Sequence, residues 1–418
     1  MRIDFSIFFC KFFLDLFRKL IKSQGMKIFS PKNQFLFACL IFFMFGVFQA
    51  SLGPILGDLA DRTNSSLSII GGVLTFLFSG SLVSQLISGP IIDEIGKKYV
   101  IAISLFLLGL SILGFSSSHS LTWVFIFFFV AGIGQGGIDV GTNLVVVDSF
   151  FDENTRYLNI MHFLFGMGAL TGPALVGLAN HQSLSGLIVL IYSAAVLLFL
   201  GLTSLFLIKD IPKNSSSEEA KNNNREKTIS IYRSPILWLI GLVMLLYIGV
   251  EYSVGSWISD FTKISISSTF QIGAIITSVY WGSLALGRLA GSLLSRYLSN
   301  LIILLLALSS SLLGVLGLMI NLNNIIPLCL FVLWIGFSYG TVIPTTVALA
   351  SSHFQKSKGK AIGILSAMGS VGGLSLPWVA GMMIGGKLLL AYEFFVFSLI
   401  CIIIILLIFL YKMIPKTK

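Results

Sequence analysis

GIGQGGIDVGTN, residues 132–143, decides how the rest of the chain is read. Gly132, Gly134 and Gly137 satisfy G-x-G-x-x-G, the spacing of a dinucleotide-binding turn. Asp152-Glu153 even follow about twenty residues on, where that motif wants a ribose-binding carboxylate. Such a turn must leave a strand and open into water. Here WVFIFFFVA precedes the glycines and VVV follows them, so the motif lies inside one apolar run. That placement excludes a cofactor loop. The stretch needs another reason to set glycines beside an aspartate.

Composition supplies the setting. Of 418 residues, 56% are hydrophobic and 11% charged, against about 25% charged in a soluble chain. A water-soluble globule so composed would aggregate. The net charge of +10 therefore reports basic loops at a membrane rather than a nucleic-acid partner. Cys10, Cys39, Cys329 and Cys401 lie scattered in apolar stretches, without metal or redox spacing, and read as small hydrophobes. No P-loop, metal cluster or nucleophile–base pair stands out, so ATP-driven pumping is not expected. Neither is an enzyme, a metal or a cofactor.

A helix crossing the hydrocarbon needs about twenty apolar residues. Such runs recur over about 34–57, 67–90, 99–117, 121–148, 157–180 and 184–208, then 234–258, 268–293, 300–320, 325–350, 361–385 and 388–412. Between them lies KDIPKNSSSEEAKNNNREKTISIYR (209–233), polar and of mixed charge, the composition of a solvated linker. The expected organisation is a segment 1–33, a six-helix bundle 34–208, a linker 209–233, a second bundle 234–412 and a basic tail 413–418. In the first segment, Asp4, Lys11, Asp15, Arg18 and Lys22 follow helical spacing. Two readings stand: an interfacial helix, or translation that begins at Met26.

Lys97, Lys98, Arg156, the linker bases, Arg296, Lys356, Lys358, Lys360, Lys412, Lys416 and Lys418 fall on alternate loops. The opposite loops carry Arg62, Lys263 and Lys387. Both termini and the linker are therefore expected in the cytoplasm. The halves also repeat. GSLVSQLISG (80–89) lines up with GSLALGRLAG (282–291), Gly132/Gly136 with Gly336/Gly340, and Gly168, Pro173 and Gly177 with Gly372, Pro377 and Gly381. An even number of spans per half gives parallel repeats, with a substrate site expected between them near mid-membrane. The fold class is an all-α membrane protein, twelve transmembrane helices in two pseudo-symmetric six-helix bundles.

Polar residues inside the membrane usually face a cavity or a partner. Gln135, Asp139 and Asn143 fall at i, i+4 and i+8, one stripe on one helix face. Gly132 and Gly136 form a neighbouring small stripe where another helix can approach. The opening question then has an answer: the glycines allow packing while the aspartate faces water. The plainer alternative is that Asp139 only bonds a partner helix. In span seven, Tyr247, Glu251 and Gly255 share a face, with Trp257 towards the outer end. A carboxylate beside aromatics suits hydroxyl-rich ligands. His162 in span five relays protons or makes a structural bond. Arg288, two turns after Trp281, neutralises a membrane carboxylate or snorkels. Gln49, Gln85, Trp281 and Tyr339 are further cavity candidates. In GPIIDEIGKK (89–98), the Asp93 carboxylate is placed to accept from a neighbouring helix N-terminus. Gly89, Asp93, Gly96, Lys97, Lys98 and Arg288 are the candidate gating residues.

Gly89, Asp93, Gly96 and Lys97-Lys98 resemble the loop signature of the major facilitator superfamily. The duplicated twelve-span plan resembles it too, which implies the major facilitator fold. GxGxGxxDxxxN in span four, HFLFGMGALTGP in span five, YIGVEYSVGSW in span seven and WGSLALGR in span eight are similar to its fucose–galactose–glucose:proton symporter branch. The resemblance runs from about residue 34 to 412. It places proton coupling on Asp139 and sugar contact on Asn143. Fucose-transporting members carry a carboxylate in span one, where Gln49 lies nearest here. The loop signature ends in Lys-Lys rather than in Arg with a basic partner.

The implied mechanism is alternating access, with the halves rocking about a central site. One proton crossing about 100 mV supplies about 2.3 kcal/mol. At about 1.36 kcal/mol per tenfold, that sustains roughly fiftyfold accumulation of a neutral solute. Proton-coupled hexose uptake is thus the leading expectation. The partners are a sugar, a proton and the lipid bilayer, with no nucleic acid, and the chain acts as a monomer in the cell membrane. Proton-driven export of drugs or amphipathic metabolites is the rival on the same scaffold. A non-transporting receptor is the rival from another class.

Overall fold

The structure, a computed structural model, describes residues 30–209, 231–266, 270–320 and 324–413. Residues 1–29 of the first segment, nearly all of the linker and residues 414–418 lie outside the described residues. Twelve long helices follow one another among the described residues. The first six are α1 (Pro31–Arg62), α2 (Val73–Ile95), α3 (Lys97–Ser117), α4 (Leu121–Ser149), α5 (Asn154–His181) and α6 (Leu187–Leu207). The second six are α7 (Pro235–Ile266), α8 (Phe270–Leu294), α9 (Asn300–Ile320), α10 (Ile325–Tyr339, resuming as Val342–His353), α11 (Lys358–Gly385) and α12 (Leu389–Met413).

Eleven of these spans are long and apolar enough to cross a membrane. α8, at 25 residues, is also long enough to cross and carries Thr277, Ser283, Arg288 and Ser292 along it. In hydrocarbon a backbone must satisfy its own polar groups, which is why helix recurs wherever the chain is apolar. The ends are set locally. Pro31 opens α1 behind Ser30, whose hydroxyl accepts from Asn33 N, as N-capping requires. Gly96, at φ 96°, separates α2 from α3 in a conformation that favours glycine.

The helix boundaries depart from the apolar runs in several places: the second run, expected over 67–90, divides into a short helix Leu67–Ile70 and α2 over Val73–Ile95. α1 continues to Arg62 and α7 to Ile266. Both carry polar residues past the apolar stretch, because a helix outside hydrocarbon still satisfies its own backbone. α10 breaks at Gly340-Thr341, where its repeat partner α4 is continuous. Pro344 has no N–H to give the Gly340 carbonyl, so the ladder is interrupted there.

The repeat is visible in the packing. α1 pairs with α5 as α7 does with α11, α2 with α4 as α8 with α10, and α3 with α6 as α9 with α12. Lipid tails are as apolar as leucine, so small residues at the seams do much of the holding. A Cβ on Gly132 would strike Leu77 O of α2, and one on Gly136 would strike Ser81 O. In the second half, Gly336 and Gly340 lie in the same way against Tyr280 O and Leu284 O of α8. The glycines of the opening stretch are therefore packing residues: Gly132 and Gly136 admit α2, while Gly134 and Gly137 admit Ser104 and Leu108 of α3.

The halves meet chiefly through α2 against α11 and α5 against α8. Their polar ties gather towards the end that carries the α2–α3 and α10–α11 connections. Asp93 accepts from Gly359 N and Lys360 N, both at 3.3 Å. Asp148 holds Lys97 of its own half at 2.5 Å and Lys358 of the other at 3.0 Å. Asn154 donates to Ser351 and Ser352, and Thr155 to Asn300.

A candidate substrate cavity between the halves

A cavity lies between the two bundles, above those ties. Its wall is drawn from both halves. The first contributes Gln49 of α1, Gln135 and Asp139 of α4, and His162 of α5; the second contributes Glu251 of α7 and Trp281 and Arg288 of α8. Five helices from two bundles thus bring together residues chosen from separate sequence motifs.

Asp139 reaches the cavity because its helix turns the Gln135–Asp139–Asn143 stripe away from the glycine seams. Its Oδ1 accepts from Asn143 Nδ2 at 3.0 Å and its Oδ2 from Gln85 Nε2 at 3.5 Å. Ser366 of α11 lines the same cavity from the other half. Asn143, 1% exposed, then passes its Oδ1 to His162 Nε2 at 3.2 Å. His162 stands edge-on to Phe42, with ring centroids 5.0 Å apart.

On the opposite wall, Glu251 and Arg288 are 2% and 4% exposed. A charge so enclosed needs compensation. Arg288 Nη1 donates to the His162 carbonyl at 2.7 Å, and its guanidinium lies 5.8 Å from the Phe165 ring centroid. The charges of Glu251 and Arg288 act favourably on each other. Even so, Glu251 Oε2 and Arg288 Nε are buried without a partner, and so are Gln49 Oε1 and Gln135 Oε1. Buried polar groups are nearly always paired. Three acceptor oxygens and one donor orphaned around one cavity therefore mark it as a place for a polar ligand.

Four residues expected at the substrate sit behind the wall instead. Asn143 braces Asp139, as above. Tyr247 is buried and donates to the Tyr339 main-chain oxygen at 2.6 Å. Tyr339 is itself buried edge-on to Tyr247 and Tyr280. Trp257 donates to Pro377 O at 2.7 Å and packs on Gly381, so it joins α7 to α11. The spacing that put Tyr247 and Glu251 on one face was sound, but the face is wider than the cavity. Gly255, on that same face, admits the Trp281 ring.

Other wall residues carried no distinguishing signal in the sequence. Phe42, Phe45, Phe78 and Phe165 are four of 36 phenylalanines in the chain. Tyr252 directly follows Glu251 yet also reaches the wall, its ring 6.1 Å from Trp281. Ser366 and Ser370 fall one turn apart on α11, a pattern common in any apolar helix. Among the described residues, no cluster of His, Cys, Asp or Glu could hold a metal ion. Of the gating candidates, Gly89 lies against Gly359 O and Asp93 caps α11. Lys97 pairs with Asp148, and Lys98 lies over the Tyr99 ring at 4.7 Å.

Comparison with known proteins agrees with this architecture. A mouse protein named sodium-dependent glucose transporter 1A is 24% identical over 376 residues, covering 81% of this chain and 87% of its own. A Bacillus subtilis protein named glucose/mannose transporter GlcP is 24% identical over 364 residues, covering 84% and 88%. Among solved structures, the transporter FucP in its outward conformation superposes with a TM-score of 0.74 at 15% identity, covering 92% of this chain and 99% of that one. The proton:xylose symporter XylE, bound to 6-bromo-6-deoxy-D-glucose, gives a TM-score of 0.71 at 16% identity, covering 93% and 97%. The family model described as Major Facilitator Superfamily matches residues 38–354 and 261–418. With its duplicated twelve-helix fold and a polar cavity between the halves, this multi-pass membrane chain belongs to the Major Facilitator Superfamily of transporters.

Proposed function

We propose that the chain is a secondary active transporter that takes up a hexose-class sugar with a proton, by alternating access. One observation carries the reading. Gln49 Oε1, Gln135 Oε1 and Glu251 Oε2, from three helices, are unpartnered acceptors around one cavity. A ligand rich in hydroxyl donors satisfies them, while Tyr252 and Trp281 offer ring faces to its C–H surface. The relatives named as glucose and glucose/mannose transporters support the same substrate class.

Asp139 is the proposed proton carrier. Its surroundings are hydrogen-bond donors rather than oxygen ligands, which suits a carboxylate that exchanges a proton better than a cage for a metal cation. His162, joined to it through Asn143, is the proposed second member of the proton path. In this reading Gln49, Gln135, Glu251 and Trp281 touch the sugar, Asn143, Tyr247, Trp257 and Tyr339 hold them in place, and Gly89, Asp93, Gly96, Lys97, Lys98 and Arg288 serve the gate. Both termini and the 209–233 linker face the cytoplasm, so the tied end of the bundle is the cytoplasmic gate. The protein acts as a monomer in the cell membrane and catalyses no covalent chemistry.

Sodium coupling is the second reading, favoured by the names of the mouse and human relatives. Purified protein in sealed vesicles decides between them. Radiolabelled hexoses are offered with a proton gradient, a sodium gradient or neither. Uptake that follows the proton gradient supports the proposal. Uptake that follows sodium alone transfers the coupling role to the second reading. No gradient-dependent uptake across a broad sugar panel refutes both.

A further inference from the structure

Gln85 stands one layer behind the cavity wall, midway along the α2–α11 seam. Its amide touches both halves at once. Nε2 donates to Asp139 Oδ2 at 3.5 Å in the first bundle, and Oε1 accepts from the Ser370 hydroxyl of α11 at 2.7 Å in the second. Ser366, one turn before Ser370, lines the cavity together with Asp139. The main chains are close here as well, since a Cβ on Gly363 of α11 would meet Gln85 O. The acid, the amide and Ser370 thus form one polar tie across the seam.

We propose that Gln85 is a positioning residue that reports the charge state of Asp139 to α11, so that the α2–α11 seam is held while Asp139 is ionised and loosens when it takes a proton. The inference rests on Asp139 being the proton carrier of the proposed function. An ionised carboxylate only accepts. It therefore fixes the amide with its NH2 group inward and leaves Oε1 facing α11, where Ser370 donates. A charged acceptor strengthens this long bond relative to a neutral one, and bonds in series polarise one another. Protonation turns one carboxylate oxygen into a donor and removes that charge assistance from the Gln85 bond. The glycine contacts of the seam remain, but the polar tie nearest the cavity weakens.

The other titratable and charged groups around this cavity are His162, Tyr252, Glu251 and Arg288. His162 reaches Asp139 only through Asn143. Arg288 is anchored on the other seam, at the His162 carbonyl. The hydrogen bonds of the Gln85 amide go to Asp139 and Ser370. The tie is thereby placed to read Asp139 in particular, and a seam that loosens only after protonation keeps an unloaded carrier from opening at that end.

The test uses the full chain in lipid nanodiscs, with spin labels at the exposed positions Glu94 and Gln355, one on each half at the tied end. The distance distribution is measured from mildly alkaline to mildly acidic buffer. We expect acidification to shift the wild-type ratio of separated to closed forms by about tenfold, about 1.4 kcal/mol. Gln85→Leu and Ser370→Ala should each cut that response to about twofold or less, while Asp139→Asn stays in the acid-like distribution at every pH. Ser370→Ala removes one oxygen at the seam, so it keeps the test valid if Gln85→Leu fails to fold. A wild-type response in well-folded Gln85→Leu or Ser370→Ala, with Asp139→Asn locked, overturns the inference alone. A wild-type response in Asp139→Asn overturns the proton-carrier assignment and the inference with it.

Discussion

Arg288 of α8 donates to the main-chain oxygen of His162 in α5 across 2.7 Å, from one half of the molecule to the other. A carbonyl inside a helix has a second lone pair free for such a bond, and the two helices come near enough for it because Gly166 lies against Ala285. The guanidinium is thus a cross-tie on the α5–α8 seam and a countercharge for Glu251 at the same time.

Removing that guanidinium should leave Glu251 enclosed without compensation. It also removes the charged hydrogen bond to the His162 carbonyl, a bond worth about 1.5–3 kcal/mol. Arg288→Gln is therefore expected to lower the thermal unfolding midpoint by several degrees and uptake by at least tenfold. Adding Glu251→Gln should restore part of the midpoint, since it removes the stranded charge. Fluorescence-monitored unfolding of the single and double variants checks this, and a double variant less stable than Arg288→Gln would contradict it.

Asp139→Asn keeps the shape of the stripe but cannot carry a proton. Gradient-driven accumulation should vanish, while sugar exchange between loaded vesicles continues within about threefold of wild type, a change of under about 0.7 kcal/mol. Loss of exchange in a correctly folded variant would move Asp139 from coupling to sugar binding.

Glu251→Gln preserves volume and one acceptor but lowers acceptor strength. Bonds to charged groups contribute about 1.5–3 kcal/mol against about 1 for neutral ones. Sugar affinity is expected to fall about tenfold, read by titration calorimetry or competitive uptake. Unchanged affinity would leave Glu251 as the structural counterion of Arg288.

Asp93→Asn weakens the cap on α11 at Gly359 and Lys360. A carboxylate at a helix N-terminus is worth about 0.5–2 kcal/mol. The variant should open the tied end more often, lower the uptake rate severalfold and leave sugar affinity nearly unchanged when both are measured in the same vesicles. A fall in affinity with an unchanged rate would rule out the gate role.

Gly132→Leu must push α4 away from Leu77 O, so it should prevent recovery of folded protein. Gly53→Ala, where no atom lies within 4 Å of the added carbon, should behave as wild type. Size-exclusion profiles of the two from matched expression give the comparison, and a monodisperse Gly132→Leu would show that the seam tolerates separation.

Parts of this site could be read before any coordinates. The i, i+4, i+8 spacing of Gln135, Asp139 and Asn143 gave a single face, since helix geometry alone fixes which residues share one. The spacing of Gly132 and Gly136 gave a packing stripe for the same reason. Asp93 was placed to meet a helix N-terminus, yet nothing in its surroundings named α11 as that helix. Tyr247 and Tyr339 looked like wall residues, and they stand behind it because the depth of a face depends on the rotation of each helix. Gln85 drew attention as a polar residue in an apolar run, but its link to Ser370 spans 285 positions.

The chain by itself determined the number of spans, their duplication and the placing of basic residues on alternate loops. Those follow from hydrocarbon thickness, backbone self-satisfaction and local charge, each of which acts over a few turns. Only the tertiary structure decided which polar atoms meet across the halves: Gln85 with Ser370, Arg288 with the His162 carbonyl, Asp93 with the start of α11. Those partners depend on helix rotation and approach, which glycine seams and packing set together, and no local pattern records them.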